Sequence, residues 1–301
     1  MEKKIIVTGA TGFLGSHILE SLGNNYDDDI IQGTSRINQF NDNKIIYANL
    51  IESESINIIK NCEILINAAY DNSNYSNNYL ITKNIIAATK YKKIKTIIHI
   101  STAVVCGIKK SLAVNEKSIN NPDNLYQSTK LSIEQQLMDN LDVSIKLVIL
   151  RPTMIIGKNS NNLDFILNNY NTNTFSYFFL KERHTNFISI NNIIDVIFEI
   201  INHPSNYKDE IYILSQDYDP NNNYGSLDRI IREHFKIPKR KINITIPKNI
   251  IRFIFLIFKK NVYPFKIFNS VNLTYRYKQD IKSAIIENIS DKGINENIKR
   301  T

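Results

Sequence analysis

The chain opens with a short β-branched run, Ile5-Ile6-Val7, that ends in a glycine turn. Apolar residues then recur at helical spacing over Phe13–Leu22, and the pattern stops at Gly23. This exchange repeats through the first half of the sequence. Lys4–Thr8, Ile30–Thr34, Lys44–Tyr47, Ile64–Asn67, Thr96–Ser101 and Lys146–Leu150 read as strands. The stretches Ser53–Lys60, Tyr75–Tyr91 and Leu125–Asn140 between them read as helices. Strand and helix in alternation predict βαβ units and an α/β fold with a doubly wound parallel sheet. The strands are apolar on both sides, so helices must cover both faces.

Past Arg151-Pro152 the regularity fades. Residues 158–186 and 203–301 are rich in Asn, and the apolar stretch Phe187–Ile201 interrupts them. We expect that stretch to return to the sheet. The predicted organisation is a nucleotide-binding domain over 1–157 and 187–202, with a smaller, discontinuous lobe over 158–186 and 203–301.

The length of 301 residues suits one large core plus such a lobe. The net charge of +8 suits an anionic small-molecule partner. No Lys/Arg-striped helix and no nucleic-acid motif is present, so nucleic acid is not an expected partner. Cys62 and Cys106 have neither metal-ligand nor redox spacing; both are expected as small buried residues in strands, with no metal site. Two thiols without a disulfide framework fit a reducing compartment. The start Met-Glu-Lys-Lys runs straight into the first strand with no signal-peptide pattern, so the cytoplasm is expected. The longest apolar stretch, Ile250–Phe258, is broken by Arg252 and too short to span a bilayer; a core-facing helix is expected there.

Chemistry enters with Thr8-Gly9-Ala10-Thr11-Gly12-Phe13-Leu14-Gly15, between the first strand and the first helix. Gly9 permits the tight turn, Gly12 lets a pyrophosphate approach the backbone, and Gly15 allows close helix packing. The helix N-terminus, with Thr11, Phe13 and Leu14, supplies N–H groups and a positive dipole for phosphates. These are the marks of a Rossmann-type dinucleotide site. At the end of the second strand stand Ser35 and Arg36, with no carboxylate in Gly33-Thr34-Ser35-Arg36. A carboxylate there would favour NAD, whereas Arg36 suits the 2′-phosphate of NADP. NADP is the expected cofactor, NAD the alternative.

Tyr126-Gln127-Ser128-Thr129-Lys130 begins a predicted helix, and residues four apart share a face. A free phenol, with a pKa of about 10, is too weak a base near neutrality. The Lys130 ammonium and a positive nicotinamide are expected to lower it. Tyr126 would then exchange a proton with a substrate oxygen. Ser101 and Thr102 follow the fifth strand and carry hydroxyls. His99 is expected to be a satisfied strand residue.

The spacing Gly9-x-x-Gly12-x-x-Gly15 resembles the extended short-chain dehydrogenase/reductase family, which is rich in nucleotide-sugar epimerases, dehydratases and reductases. The resemblance continues in Asn67-Ala68-Ala69, Asn78/Thr82/Asn84, Leu150-Arg151-Pro152 with Gly157, and Phe187–Asn192, and is thin beyond residue 215. It implies that Thr102, Tyr126 and Lys130 are catalytic, with Lys130 also holding the nicotinamide ribose. It places Asn49 and Leu50 at the adenine and Ala68, Ala69 and Pro152 beside the cofactor. Tyr70, Met154 and Arg183 become substrate candidates, with a homodimer built through two long helices. The family's 4,6-dehydratases carry Asp-Glu after the catalytic Thr; here stand Ala103 and Val104, which argues against dehydration. A reductase, or else an epimerase, of an anionic nucleotide-sugar is expected. The reductase is preferred because Arg36 points to freely exchanging NADPH. A reductase of a non-sugar ketone or aldehyde, and a non-catalytic NAD(P) sensor, are the other readings.

Overall fold

The computed structural model describes residues 4–37, 43–107, 113–164, 167, 183–208, 210–237, 250, 253, 267–273 and 275–291. Within them the chain forms β1 (Ile5–Thr8), α1 (Phe13–Gly23), β2 (Ile31–Ser35), β3 (Ile45–Tyr47), α2 (Ile56–Ile59) and β4 (Ile64–Asn67). Next come α3 (Tyr75–Thr89), β5 (Thr96–Ile100), β6 (Ala113–Val114), α4 (Leu125–Asn140), β7 (Lys146–Pro152) and β8 (Met154–Ile156). The rest are β9 (Phe187–Ser189), α5 (Ile190–Asn202), β10 (Ile211–Leu214), α6 (Tyr224–Phe235), β11 (Ile267–Phe268) and α7 (Ile281–Asp291). The apolar stretch at 250–258 lies almost wholly outside the described residues, as does much of 158–186.

The main sheet has seven strands in the order β10-β7-β5-β4-β1-β2-β3. The pairings from β7 across to β3 are all parallel. This is the doubly wound order, with its switch next to β1, where such sheets bind nucleotides. Packing divides the chain into two compact units. The first holds Met1–Val105, Asn120–Arg151 and Ile194–Tyr212; the second holds Cys106–Ile119, Pro152–Ile193 and Ile213–Thr301.

In the first unit, β1 and β4 are buried along their whole length, as two-sided coverage requires. On one face Ile6, Leu65, Ile97, Leu147 and Ile149 pack with Ile81, Ile85 and Ala88 of α3 and Ile133 and Leu137 of α4. The alternate strand residues point the other way. On that side α1 presses on β2, where a Cβ on Gly33 would come within 2.7 Å of Leu19. Beside it Tyr26 stacks on Phe198 of α5 at 5.8 Å and donates to Asn202.

The second unit has its own core. Ile156, Leu163 and Phe187 meet Leu227, Ile230 and Ile231 of α6 and Ile281, Ala284, Ile285 and Ile289 of α7. The buried Asn222 ties it together: its Oδ1 accepts from Phe187 N and Thr185 Oγ1, and its Nδ2 donates to Phe187 O. The buried Asp217 accepts from Asn186 Nδ2 and Phe268 N, each at 2.7 Å. Burial pushes its carboxyl up to about 6, against the pull of those hydrogen bonds.

Three expectations change. Phe187–Ile201 adds no strand to the main sheet: β9 pairs with β8 in a separate two-stranded sheet, and α5 follows, its residues from Ile194 on belonging to the unit that holds the main sheet. Ile190, Ile193, Ile194, Ile197, Ile200 and Ile201 are all buried at a spacing of three and four, the period of a helix. The seventh strand is instead β10, too short to stand out in the sequence. The helix at Ser53–Lys60 is a 3₁₀ turn, Ser53–Ser55, followed by one turn of α2. Finally, both cysteines are buried but neither lies in a strand. Cys62 follows α2, where its Sγ donates to Ile59 O and burial pushes the thiol up to about 12. Cys106 closes a 3₁₀ turn over Ala103–Cys106.

Candidate active site

A cavity of about 250 Å³ opens in the first unit at the carboxyl ends of β1, β2 and β4. It is lined by Gly9, Thr11 and Gly12, by Ser35 and Arg36, by Asn49 and Leu50, and by Ala68, Ala69, Tyr70 and Asp71, among others. Nine of the residues expected at the cofactor therefore share one cavity. Phe13, Leu14 and Gly15 lie in the first turn of α1 behind it, and Pro152 ends β7.

The glycine loop leaves room for a ligand only because it lacks side chains. Gly9 has φ +67°, and a Cβ on it would lie 2.7 Å from Ala69 Cα. A Cβ on Gly15 would meet Gly9 O at 2.1 Å, so this glycine seats the loop on α1. Gly12 is the N-cap of α1 and makes no side-chain cap, which leaves first-turn N–H groups for an anion. The backbone cradle fits a pyrophosphate.

The cavity wall at Asn49 and Leu50 is held by hydrogen bonds from neighbouring residues. Asn84 Nδ2 donates to Leu50 O at 2.9 Å and to Glu52 O, and Asn49 Nδ2 donates to Glu52 Oε1 at 2.7 Å. Asn78 clamps the loop after β4: it accepts from Asp71 N and donates to Asp71 O. Thr82 Oγ1 bonds back to Asn78 O. The family-like spacing Asn78/Thr82/Asn84 thus supports the cavity walls from α3.

The candidate catalytic side chains come from α4 and the end of β5. Asn124 caps α4 by accepting from Gln127 N. Tyr126, Lys130 and Glu134 then follow at intervals of four and form one stripe. That stripe grips three consecutive residues. The Thr102 hydroxyl is close enough to Tyr126 to favour its ionised form. Lys130 Nζ donates to Ile100 O at 3.0 Å. Ser101 Oγ donates to Glu134 Oε1. The Glu134 carboxylate also accepts from Arg151 Nε at 3.0 Å and Nη2 at 2.5 Å, and Arg151 Nη1 donates to Asn120. Glu134 and Arg151 are 0% and 1% exposed.

Tyr70 stands beside this stripe. The Lys130 ammonium lies 4.2 Å from the centre of its ring, and its ring meets Tyr126 edge-on at 5.4 Å. Burial depresses Lys130 to about 8, opposed by the charge of Glu134. The expected lowering of the Tyr126 phenol is not found: burial raises it, against the Thr102 hydrogen bond. The physical reason is the direction of Lys130, whose ammonium is turned to Ile100 O and Tyr70. A positive nicotinamide would have to supply the remaining pull.

His99 is on β5 and buried, but only half satisfied. Its Nδ1 meets Asn67 Nδ2 at 3.0 Å, Asn67 Oδ1 accepts from Thr8 Oγ1, and Nε2 has no partner. Burial depresses it to about 3, so it stays neutral.

Met154 and Arg183 belong to the second unit. Met154 is on β8 and 37% exposed, and Arg183 lies over the Tyr224 ring at 4.9 Å. Sequence reasoning missed Asp71 and Glu134. Glu134 had a signal, its place four residues after Lys130. Asp71 had none, since its partner Arg36 is distant in sequence. Among the described residues no group of His, Cys, Asp or Glu could hold a metal ion, and no helix could cross a membrane.

A Rossmann-type sheet with a glycine-loop cavity beside a Tyr-Lys-Thr set defines a dinucleotide-binding protein of the extended short-chain dehydrogenase/reductase type. The chain belongs to the NAD dependent epimerase/dehydratase family, whose model matches residues 5–214. No curated protein sequence matches it. Among solved structures it is similar to the Bordetella bronchiseptica enzyme WbmH in complex with NAD+, with TM-score 0.72 and 15% identity over 96% of this chain and 98% of that one. It is also similar to the UDP-glucuronic acid 4-epimerase from Bacillus cereus in complex with NAD, with TM-score 0.70 and 17% identity over 96% and 98%. A third is the B. bronchiseptica enzyme WbmG in complex with NAD and UDP, with TM-score 0.72 and 12% identity over 96% and 94%. At these identities the likeness is one of fold.

Proposed function

We propose that the protein oxidises and re-reduces a secondary carbinol of a nucleotide-sugar, as an epimerase with retained NAD. The observation that carries the redox reading is the Tyr126–Thr102 hydroxyl pair beside buried Lys130. A bound nicotinamide would supply a hydride acceptor and donor. Tyr126 Oη is the group placed to take the proton of the substrate hydroxyl. Thr102 holds the reacting oxygen, and Lys130 orients the ribose by its ammonium. Bound there, the nicotinamide would accept hydride from the carbinol carbon and return it to the opposite face of the resulting ketone, and Tyr126 is the group that would give back the proton. Ala103 and Val104 offer no acid or base for loss of water.

The second reading is a reductase using exchanging NADPH, and Arg36 favours it. Its guanidinium is 58% exposed at the cavity, but it is already paired with Asp71 at 2.9 Å. That pairing moves the balance toward NAD and removes the main support for a reductase. The nucleotide-sugar class draws on the net charge of +8 and on relatives of the fold such as the UDP-glucuronic acid 4-epimerase. Met154 and Arg183 are the substrate candidates of the second unit, which we assign as the substrate lobe. We further assign a homodimer through α3 and α4, and a cytoplasmic location in keeping with the free thiols.

The test is Tyr126→Phe. The variant should lose turnover of UDP-sugar epimers by at least about a hundredfold while binding dinucleotide as the parent does. Normal turnover would remove Tyr126 from the chemistry. Nicotinamide released on denaturing the purified parent separates the two readings: retained NAD supports the epimerase, an empty site the reductase.

A further inference from the structure

The carboxylate of Asp71 is the most heavily bonded acid at the cavity. Its Oδ1 accepts from Ser73 N at 2.9 Å, Ser73 Oγ at 2.6 Å and Asn74 N at 3.2 Å. Its Oδ2 accepts from Asn77 Nδ2 at 2.9 Å and from Arg36 Nη1 at 2.9 Å. The backbone of Asp71 is clamped on both sides by Asn78. Side-chain hydrogen bonds from Ser73 and Asn77 hold its carboxyl well below the usual range, so the charge is permanent. Asp71 is 3% exposed, whereas its partner Arg36 is 58% exposed. The acid is therefore the fixed member of the pair and the arginine the movable one.

Both residues line the cavity together with Gly9, Gly12 and Ser35. Five donors already fill the Asp71 oxygens, so it is a poor acceptor for a ribose diol. Its influence runs through Arg36. A guanidinium alone at the end of β2 would draw a 2′-phosphate as a charge-assisted partner. With a fixed carboxylate 2.9 Å away, a phosphate must compete for that guanidinium and also meet the carboxylate's negative charge. A neutral diol faces neither cost.

We propose that Asp71 sets the nicotinamide preference: by holding Arg36 in an ion pair it cancels the attraction for the 2′-phosphate of NADP and tilts the site to NAD. Asp71 is thus a specificity-determining residue that acts through Arg36. The proposal rests on the reading of the glycine-loop cavity as the dinucleotide site.

The experiment titrates NADH and NADPH into the full-length parent, Asp71→Asn, Arg36→Ala and the double variant, followed by nicotinamide fluorescence. The parent should bind NADH at least as tightly as NADPH. Asp71→Asn should tighten NADPH roughly tenfold and move NADH by less than about threefold. In the Arg36→Ala background the Asp71→Asn gain for NADPH should shrink, because only the relief of the carboxylate's own charge is left and no guanidinium is freed for the phosphate. Arg36→Ala alone changes an exposed side chain and guards against a misfolded Asp71 variant; it should weaken NADPH and spare NADH. An unchanged NADPH/NADH ratio in Asp71→Asn, the same gain with and without Arg36, or equal loss of both dinucleotides in Arg36→Ala overturns the proposal. If the parent binds neither dinucleotide, the cavity assignment itself falls, and this with it.

Discussion

Lys130 is a buried cation whose charge is available only over part of the pH range. Its ordinary value of 10.5 is depressed to about 8, because burial outweighs the pull of Glu134. The ammonium is present below pH 8 and is lost as pH rises through it. If it holds the nicotinamide ribose, NADH affinity should fall on the order of tenfold between pH 7 and pH 9.5. Lys130→Met should bind weakly and without that pH dependence. Fluorescence titrations across the range check this, and a flat profile in the parent would remove Lys130 from the ribose. The linkage for stability has the opposite sense. The folded protein gives up this proton before the unfolded chain does, so the cost of burying the ammonium is full below pH 8 and relieved between 8 and 10.5.

At the scale of elements, the register between α4 and β5 sets the site. Tyr126, Lys130 and Glu134 hold Thr102, Ile100 and Ser101, and Arg151 of β7 locks the carboxylate in place. Glu134 and Arg151 are both buried, so removing one strands the charge of the other. Glu134→Ala should cost about 3–5 kcal/mol in urea unfolding. A loss below about 1 kcal/mol would show that the pair does not carry the register. The Tyr126–Lys130 part of the stripe was visible in the sequence because helical spacing fixes which residues share a face, whereas Glu134 was missed. Thr102 is singled out by the resemblance of its segment to the family's, not by periodicity. The segment Phe187–Ile201 reads in the sequence only as an apolar return to the sheet's domain, and the structure divides it into β9 of the second unit and α5, most of which belongs to the first. The buried isoleucines at helical spacing decided for the helix only once the neighbouring strands were placed.

At the scale of the molecule, the proposed homodimer has a physical motive in the outer faces of α3 and α4. Tyr79 and Leu80 on α3 are 38% and 43% exposed, and Leu125 and Met138 on α4 are 60% and 44% exposed. Sedimentation at micromolar concentration should give a dimer, and charged substitutions at Leu80 and Met138 should convert it to monomer without loss of fold. A parent that sediments as a monomer would sink the assignment. The chain alone determined the alternation of strands and helices, the glycine loop and the Tyr126–Lys130 face. Each depends on spacing within one element, and local periodicity writes it directly. The tertiary structure alone decided that β10 completes the sheet, that Lys130 Nζ meets Ile100 O and the Tyr70 ring, and that Asp71 meets Arg36. Those depend on which distant segments the sheet order brings together, and a charge pair 35 positions apart leaves no periodic trace.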